Sequence, residues 1–394
     1  MNTPKPTIQV PILRVPFDQE DRDFIFEGIN EVLGSGQLTQ GKYVARFEEL
    51  FAALVGARYA VAVNSATAAL EVILRGLGIQ RASVIVPTNT FLATALAVIH
   101  SGNRVIFADS DPETLCLDAE DAERRIEEDT RAVILVHIGG IVTPGVAALK
   151  KMCESRGIEL IEDCAHAHGC SIDGEAAGTL GIAGAFSFFP TKVLTSGEGG
   201  LITTNDRDLY EAASILRNQG KNPQLGNRIS DPGHNFRMSE ITGVVAVQQA
   251  RKAEAIYAER RAIAHYYDDA LKGVSGLSPA KLASGAESGY YKYVVHLDSG
   301  IDRADLKGTM KEEFGVSLTG EVYAELCHDE PIWDNYDYWG SRREPRGDGV
   351  RQRGPFPGAE RISRHHICLP VYPGLSLSER EHVVASLKST LARG

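Results

Sequence analysis

The sequence lacks several features that would point to whole classes of protein. It has no run of about 18 apolar residues, so no membrane-spanning helix is expected. Its six cysteines are scattered without a C-x-x-C pair or a disulfide framework, which favours a reducing cytoplasm. Basic residues are outnumbered, 41 Lys and Arg against 52 Asp and Glu, and the net charge of −11 argues against a nucleic-acid partner. The N-terminal segment has no long apolar core, so no signal peptide is expected.

Short apolar runs alternate with helix-like segments in the first half of the chain, whose 394 residues are enough for more than one domain. Strands that are apolar throughout are buried on both faces, which predicts an α/β fold with a mostly parallel seven-stranded sheet between helices. A helical stretch at about 238–272 leads to a smaller C-terminal α+β domain, so the predicted domains are 1–250 and 251–394. The predicted strands are 59–64, 83–87, 104–109, 132–138, 158–164, 183–189 and 200–205.

The segment NSATAAL (64–70) predicts a phosphate site, because it follows a strand and opens a helix. A helix N-terminus presents free N–H groups and the positive end of the helix dipole, and both suit a phosphate. Thr67 and the backbone of Ala66 are placed to hold that group. The alternative is that Ser65 or Thr67 simply caps the helix.

The segment EDCAHAHG (162–169) places two acids at the end of a buried strand. A buried carboxylate needs a partner, and a protonated pyridine nitrogen would suit Asp163. Alternation along the strand turns Glu162 to the opposite face. The alternative for Asp163 is to cap the next segment. The C-x-H-x-H-x-C spacing of residues 164–170 does not match the usual zinc patterns, so no metal is predicted.

The segment SFFPTKVLTSGEGGLITTND (187–206) places Lys192 among small and apolar residues. Such a lysine either snorkels from the edge of a core or acts as a Schiff-base nucleophile towards a carbonyl cofactor. Ser187 adds a hydroxyl that suits a phosphate, and the glycines after Lys192 permit a tight return into the next strand. The order of a phosphate-type helix start, a strand-end Asp and a later Lys predicts pyridoxal 5′-phosphate (PLP) as cofactor.

The run FSF…TK…GEGG, with EDCAHAHG before it and NFRMSE after it, resembles the DegT/DnrJ/StrS family of sugar aminotransferases. These are PLP enzymes with the aspartate aminotransferase fold, fold type I. The resemblance extends over about residues 28–392. One branch of the family, the dehydratases, has His in place of the Schiff-base Lys. This chain has Lys192, so transamination is favoured.

The resemblance implies a role for each matched residue. Lys192 would form the Schiff base with PLP and then carry the proton, and Asp163 would pair with the pyridinium nitrogen. Phe91 would stack on the ring, although packing at a helix start is an alternative. His166 would lie near the ring or its 3-oxygen. The phosphate would be held by Ala66, Thr67 and Ser187 of one subunit and by Asn235 of its neighbour, which implies a homodimer with shared sites.

His328, Tyr323 and Arg237 are further candidates for substrate contact, and ordinary packing or surface roles are the alternatives. The Arg-rich stretch 340–358 would suit a diphosphate, since the fork of an Arg side chain matches phosphate oxygens, or is simply a solvated loop. The segment HIGGIVTPGVAALKK lacks the small-Gly-x-x-Asp-Met element that is common in the family. The cavity wall near His137 is therefore not predicted.

The resemblance implies an aminotransferase that moves an amino group from an amino acid, with L-glutamate as the expected donor, to a nucleotide-linked keto-deoxysugar. Pyridoxamine phosphate would be the intermediate form of the cofactor. The alternatives are a keto-cyclitol aminotransferase, an aromatic amine precursor synthase or dehydratase, and a non-catalytic regulatory homologue. The expected partners are these small molecules and a second copy of the chain in the cytoplasm, with no nucleic acid and no membrane.

Overall fold

The computed structural model describes residues 8–342 and 354–393. Its strands are β1 (Tyr59–Val63), β2 (Ser83–Pro87), β3 (Arg104–Ala108), β4 (Thr130–Val136), β5 (Glu159–Asp163), β6 (Ser171–Ile172), β7 (Glu175–Ala176), β8 (Ala183–Ser187), β9 (Gly200–Thr204), β10 (Lys221–Asn222), β11 (Arg228–Ile229), β12 (Leu277–Pro279), β13 (Ala286–Glu287), β14 (Tyr293–Leu297) and β15 (His366–Leu369).

The helices have caps and apolar faces that are visible in the sequence. Asp18 and Ser376 each form a capping box at a helix start, and Ser65 caps α3 by accepting a hydrogen bond from the Ala68 N–H. The helices are α1 (Gln19–Ser35), α2 (Lys42–Val55), α3 (Ala66–Gly76), α4 (Ala93–His100), α5 (Ala119–Arg124), α6 (Val146–Arg156), α7 (Arg207–Leu216), α8 (Glu240–Arg251), α9 (Ala253–Leu271), α10 (Arg303–Glu312), α11 (Ile332–Asn335), α12 (Pro357–Arg364) and α13 (Leu377–Leu391).

The large sheet has seven strands in the order β1-β9-β8-β5-β4-β2-β3. The pairs from β8 through β5, β4 and β2 to β3 are parallel, whereas β9 is antiparallel to both of its neighbours. The antiparallel pair β8–β9 is the one that the sequence joins by a Gly-rich loop instead of a helix. The predicted α/β fold with a mostly parallel seven-stranded sheet is confirmed.

The predicted helical stretch at 238–272 is two helices, α8 and α9, instead of one. Lys252 separates them with φ −97° and ψ 3°, outside the helical range. Its ammonium group donates to the carboxylates of Asp18 and Asp21 at the start of α1, at 2.5 and 3.0 Å. The junction is therefore tied to the N-terminal helix.

Two hydrophobic cores meet at β14. The larger core surrounds the seven-stranded sheet, and the smaller one lies between the β12-β14-β15 sheet and helices α9, α10 and α13. Val294 is buried in the larger core, whereas Tyr293 and Val295, which flank it, are buried in the smaller one. The smaller core also takes in Val10 from the N-terminal segment. The division at residue 250 stays a prediction.

No helix in the described ranges is long and apolar enough to cross a membrane.

Candidate active site

The predicted cofactor residues meet where the strands of the large sheet end. Asp163 is the last residue of β5, Ser187 is the last residue of β8, and Lys192 lies in the loop after it. Ala66 and Thr67 open α3 directly after β1. These residues face a cavity of about 440 Å³. The predicted residues that line it are Ala66, Thr67, Phe91, Asp163, His166, Ser187, Lys192 and Tyr323.

The amine of Lys192 lies in the cavity against an aromatic ring. Its Nζ is 4.6 Å from the centroid of the Tyr291 ring, a cation–π distance. Burial lowers the pKa of Lys192 to about 8, an effect that the carboxylate of Asp163 opposes and the ammonium of Lys292 reinforces. A larger fraction of neutral amine is therefore present at pH 7 than for an exposed lysine, and the neutral amine is the nucleophilic form.

The carboxylate of Asp163 is buried at the inner end of the cavity. It accepts hydrogen bonds from Thr94 Oγ1 at 2.8 Å and from the Ala165 N–H at 3.0 Å. Burial nevertheless raises the pKa of Asp163. A cationic group in the cavity would offset the cost of burying this charge, and a protonated pyridine nitrogen is such a group.

The phosphate end of the cavity is formed by the start of α3. Ser65 Oγ accepts the Ala68 N–H at 3.1 Å, so the capping alternative is correct for Ser65. The N–H groups of Ala66 and Thr67 have no acceptor among the described residues. Capping and phosphate binding are therefore compatible, because the cap leaves two donors available at the positive end of the helix. The hydroxyl of Ser187 lines the same part of the cavity.

Aromatic side chains form the cavity wall. His166 stacks on Tyr291, with ring centroids 4.0 Å apart, and its Nε2 lies 3.2 Å from the Tyr323 hydroxyl. The backbone N–H of Gly139 donates to His166 Nδ1 at 3.3 Å. Burial holds the pKa of His166 well below its usual value, so the ring is neutral. Phe91 is 64% exposed, which excludes the alternative of packing inside the core at the helix start.

Glu162 points away from the cavity, as the alternation along the strand predicts. Its carboxylate accepts the backbone N–H groups of Gly178, Leu180 and Gly181, each at 2.8 Å, and lies 2.8 Å from His137 Nε2. The potential ligand atoms of His137, Glu162 and Cys164 lie within 4.8 Å of one another. The carboxylate in this cluster is already engaged by three backbone donors, which fits a structural role in holding the 178–181 loop.

Three of the predicted residues do not line this cavity. His328 lines a separate cavity of about 810 Å³, and its Nδ1 lies 2.6 Å from Thr88 Oγ1. Asn235 is exposed, and Arg237 donates to Asn218 Oδ1 at 3.0 Å. Residues 343–353 of the Arg-rich stretch lie outside the described residues.

Sequence reasoning missed several cavity residues, and Thr94, Tyr291 and Lys292 are those that bear on the chemistry. Thr94 lies in the first turn of α4 and resembles any helical Thr in sequence. Tyr291 and Lys292 precede β14 in the segment GYYKYVVHL, where their pattern indicates only the approach to a strand. The charge of Lys292 next to an apolar strand was the one available signal.

Comparison with known proteins agrees with this geometry. The model of the DegT/DnrJ/EryC1/StrS aminotransferase family matches residues 19–388.

The chain belongs to this aminotransferase family.

The names of two relatives of this aminotransferase refer to nucleotide sugars. A dTDP-3-amino-3,4,6-trideoxy-alpha-D-glucose transaminase from Micromonospora megalomicea subsp. nigra is 30% identical, over 95% of this chain and 96% of the relative. A GDP-perosamine synthase from Vibrio cholerae is 29% identical, over 96% of this chain and 98% of the relative. The crystal structure of DesV from S. venezuelae in complex with a ketimine intermediate superposes with a TM-score of 0.84, at 29% identity, over 95% of this chain and 98% of that one.

The family match confirms the predictions of a PLP-dependent aminotransferase and of its fold. The residues present fit PLP. Asp163 is a buried carboxylate that lacks a cationic hydrogen-bond partner among the described residues, α3 offers two unpaired N–H donors, and Lys192 supplies an amine between them.

Proposed function

We propose that this aminotransferase moves an amino group from L-glutamate to a keto-sugar carried on a nucleotide. The observation that carries the proposal is the shared cavity of Lys192, Asp163 and the start of α3, in a chain whose relatives include two nucleotide-sugar enzymes. The choice of a nucleotide sugar over a cyclitol depends on those relatives.

Four of the cavity residues have a proposed task in the transfer. When bound, PLP supplies the electron sink that stabilises negative charge on the reacting carbon of the substrate. Lys192 Nζ removes a proton from that carbon and later returns one to the product, for which a pKa of about 8 is well matched to neutral pH. The Asp163 carboxylate holds positive charge at the inner end of the cavity. His166 and Phe91 orient flat groups against the wall.

The working unit is proposed to be a homodimer with shared sites. Four large apolar side chains are exposed on or beside α1 and α8: Phe26 at 68%, Leu33 at 60%, Leu38 at 52% and Ile241 at 40%. The Leu38 carbonyl accepts the Glu240 N–H, so these two segments form one surface. An exposed apolar patch of this kind is typical of a protein interface. Asn235 is exposed and free to reach a neighbouring subunit's phosphate site.

The same proposal places the enzyme in the cytoplasm. The six cysteines are buried free thiols, which suits a reducing compartment.

The activity is tested with the purified protein loaded with PLP. Addition of L-glutamate is expected to shift the visible absorbance band of the cofactor and to release 2-oxoglutarate. The glutamate-treated protein is then incubated with nucleotide-linked keto-sugars and with keto-cyclitols, and the products are identified by mass spectrometry. An amino product from a keto-cyclitol alone would redirect the substrate assignment. Release of product without 2-oxoglutarate would contradict transamination.

Two variants test the roles of the site residues. Lys192→Ala is expected to remove turnover while the fold and the dimer persist, and Lys311→Ala, a change of an exposed lysine on α10, is the matched control. Turnover by Lys192→Ala at the rate of the control would refute the assigned role.

The dimer is tested by light scattering and by subunit mixing. The wild type is expected to have twice the mass of one chain, and Phe26→Asp with Leu33→Asp is expected to shift it towards the monomer. If sites are shared, inactive Lys192→Ala and impaired Asn235→Asp subunits should regain activity when they are mixed. A fully active monomer would rule out shared sites.

A further inference from the structure

Lys292 is a second lysine in the active cavity that no step of the proposed reaction uses. It precedes β14, and its Nζ lies 5.1 Å from the centroid of the Tyr291 ring, the same ring that Lys192 Nζ contacts at 4.6 Å. A Cβ atom on Gly320 would come within 2.6 Å of Lys292 Nζ. The ammonium group therefore occupies space on this wall that the glycine leaves open.

The charge of Lys292 has no counter-ion in the described part of the chain. No carboxylate there pairs with its Nζ, and the Nζ donates no hydrogen bond to an acceptor there. Glu321, an acid on the same wall, instead pairs with Lys307. The ring of Tyr291 compensates the lost hydration of this half-buried ammonium group only in part, so a lysine here is a poor choice for stability alone.

Besides Lys292, the cavity has very few cationic side chains that could bind an anionic group of a substrate. Among the described residues that line it, only Lys192 and Lys292 carry cationic side chains, and His166 is held neutral by burial. Lys192 is committed to the cofactor and to proton transfer. The two unpaired N–H groups of α3 are committed to the cofactor's phosphate. An amino acid substrate brings at least one carboxylate into this space, and that group needs a positive partner.

We propose that Lys292 binds a carboxylate of the substrate, in the first instance that of the amino donor. The inference rests on the proposed function, since it assigns the donor subsite of the same cavity. The ammonium group of Lys292 and the Nζ of Lys192 both contact the Tyr291 ring. A donor bound by Lys292 therefore lies beside the amine that acts on the donor's reacting carbon. A keto-sugar that carries a carboxylate of its own would use the same subsite in the second half of the reaction.

The test compares four variants of the PLP-loaded dimer with the wild type. Lys292→Met removes the charge and keeps most of the volume, Lys292→Gln keeps hydrogen bonding, and Lys292→Arg keeps the charge. Lys311→Met removes an exposed lysine and is the matched control.

The first readout needs no turnover. Binding of glutarate, an unreactive dicarboxylate, is measured by titration calorimetry. Lys292→Met and Lys292→Gln are expected to weaken glutarate binding about 10- to 100-fold, because a charge-assisted hydrogen bond is lost. Lys292→Arg keeps the charge and is expected to retain most of the affinity. If Lys292→Met and Lys292→Gln bind glutarate as the Lys311→Met control does, the inference is wrong.

The second readout separates the two possible sources of the carboxylate. The half-saturating concentration of L-glutamate is measured from the visible band, and that of a nucleotide-linked keto-uronate and its non-acidic counterpart is measured with the pyridoxamine form. A raised value for glutamate assigns the subsite to the donor. A raised value for the keto-uronate alone assigns it to an acidic acceptor. If the Lys292 variants have the same half-saturating concentrations as the Lys311→Met control for all three substrates, the proposal is wrong.

Failure of the proposed function gives a different pattern. If the visible absorbance band of the wild-type protein does not shift when glutamate is added, the assignment of glutamate as donor is wrong. Glutarate binding by that same protein still decides whether Lys292 holds carboxylates.

Discussion

Gly200 is the position where a single methyl group should separate folding from cofactor binding. It opens β9 and pairs with both Val63 and Ser187 in the sheet. A Cβ atom there would lie 2.2 Å from the carbonyl carbon and oxygen of Ser65 and 2.7 Å from the Ala66 nitrogen. Ordinary contact begins at 3.4 Å. Because β9 is held between β1 and β8 by strand pairing on both sides, the start of α3 is expected to give way in Gly200→Ala, by about 1.2 Å.

The size of the effect follows from the reach of a hydrogen bond. N–H···O bonds have lengths of about 2.7–3.2 Å, and a retreat of that size breaks them. A bond to a charged group contributes about 1.5–3 kcal/mol. Loss of the two phosphate contacts from Ala66 and Thr67 is therefore expected to cost about 3–6 kcal/mol, or roughly 10²- to 10⁴-fold in Kd.

The assay uses pyridoxamine phosphate, which forms no covalent bond to Lys192, so the Kd reports the phosphate and ring contacts directly. Titration calorimetry on the cofactor-free protein gives the value, and far-UV circular dichroism checks the fold. Gly308→Ala is the control, because a Cβ atom at this position in α10 meets nothing within 4 Å. A Gly200→Ala protein that is folded and binds pyridoxamine phosphate as tightly as Gly308→Ala would refute the phosphate assignment.

Three other predictions concern the same region. Glu162→Gln should lower the free energy of unfolding by about 3–5 kcal/mol in urea titrations, because one amide oxygen cannot serve all the buried donors, while Glu159→Gln on the same strand changes little. Since the pKa of Lys192 is lowered to about 8, the rate of PLP capture should rise with pH through about 8, and a midpoint near 10 would contradict the burial argument. Phe91→Ala should weaken pyridoxamine phosphate by about 0.5–1.5 kcal/mol but leave the thermal midpoint almost unchanged, since this side chain is 64% exposed.

The sheet was predictable because its strands are buried on both faces, so an uninterrupted apolar run and a strand coincide. All seven strands start and end within two residues of the predicted limits, for example Ser83–Pro87 against 83–87. The break at Lys252 was not predictable. It depends on carboxylates more than 200 positions earlier in the chain, and the helical periodicity continues through it.

The residues of the candidate site also fall into a predictable group and a group that was not predictable. Asp163 and Ser187 end strands of one sheet and Lys192 follows one of them, so topology alone brings the three to one edge. Tyr291 and Lys292 reach the cavity from a different sheet, and nothing in their local pattern encodes that arrangement. Thr94 is recognisable only through its hydrogen bond to Asp163.

The alternation along β14 has a consequence for how this enzyme can diversify. Val294 lies in the larger core, around the sheet whose strand ends form the cavity, while its two neighbours lie in the smaller core. Tyr291 and Lys292, directly ahead of this strand, therefore reach the cavity from the boundary between the two cores. Substitutions in the smaller core would then shift these two residues and change which substrates bind, while Asp163 and Ser187 stay fixed at the strand ends of the large sheet.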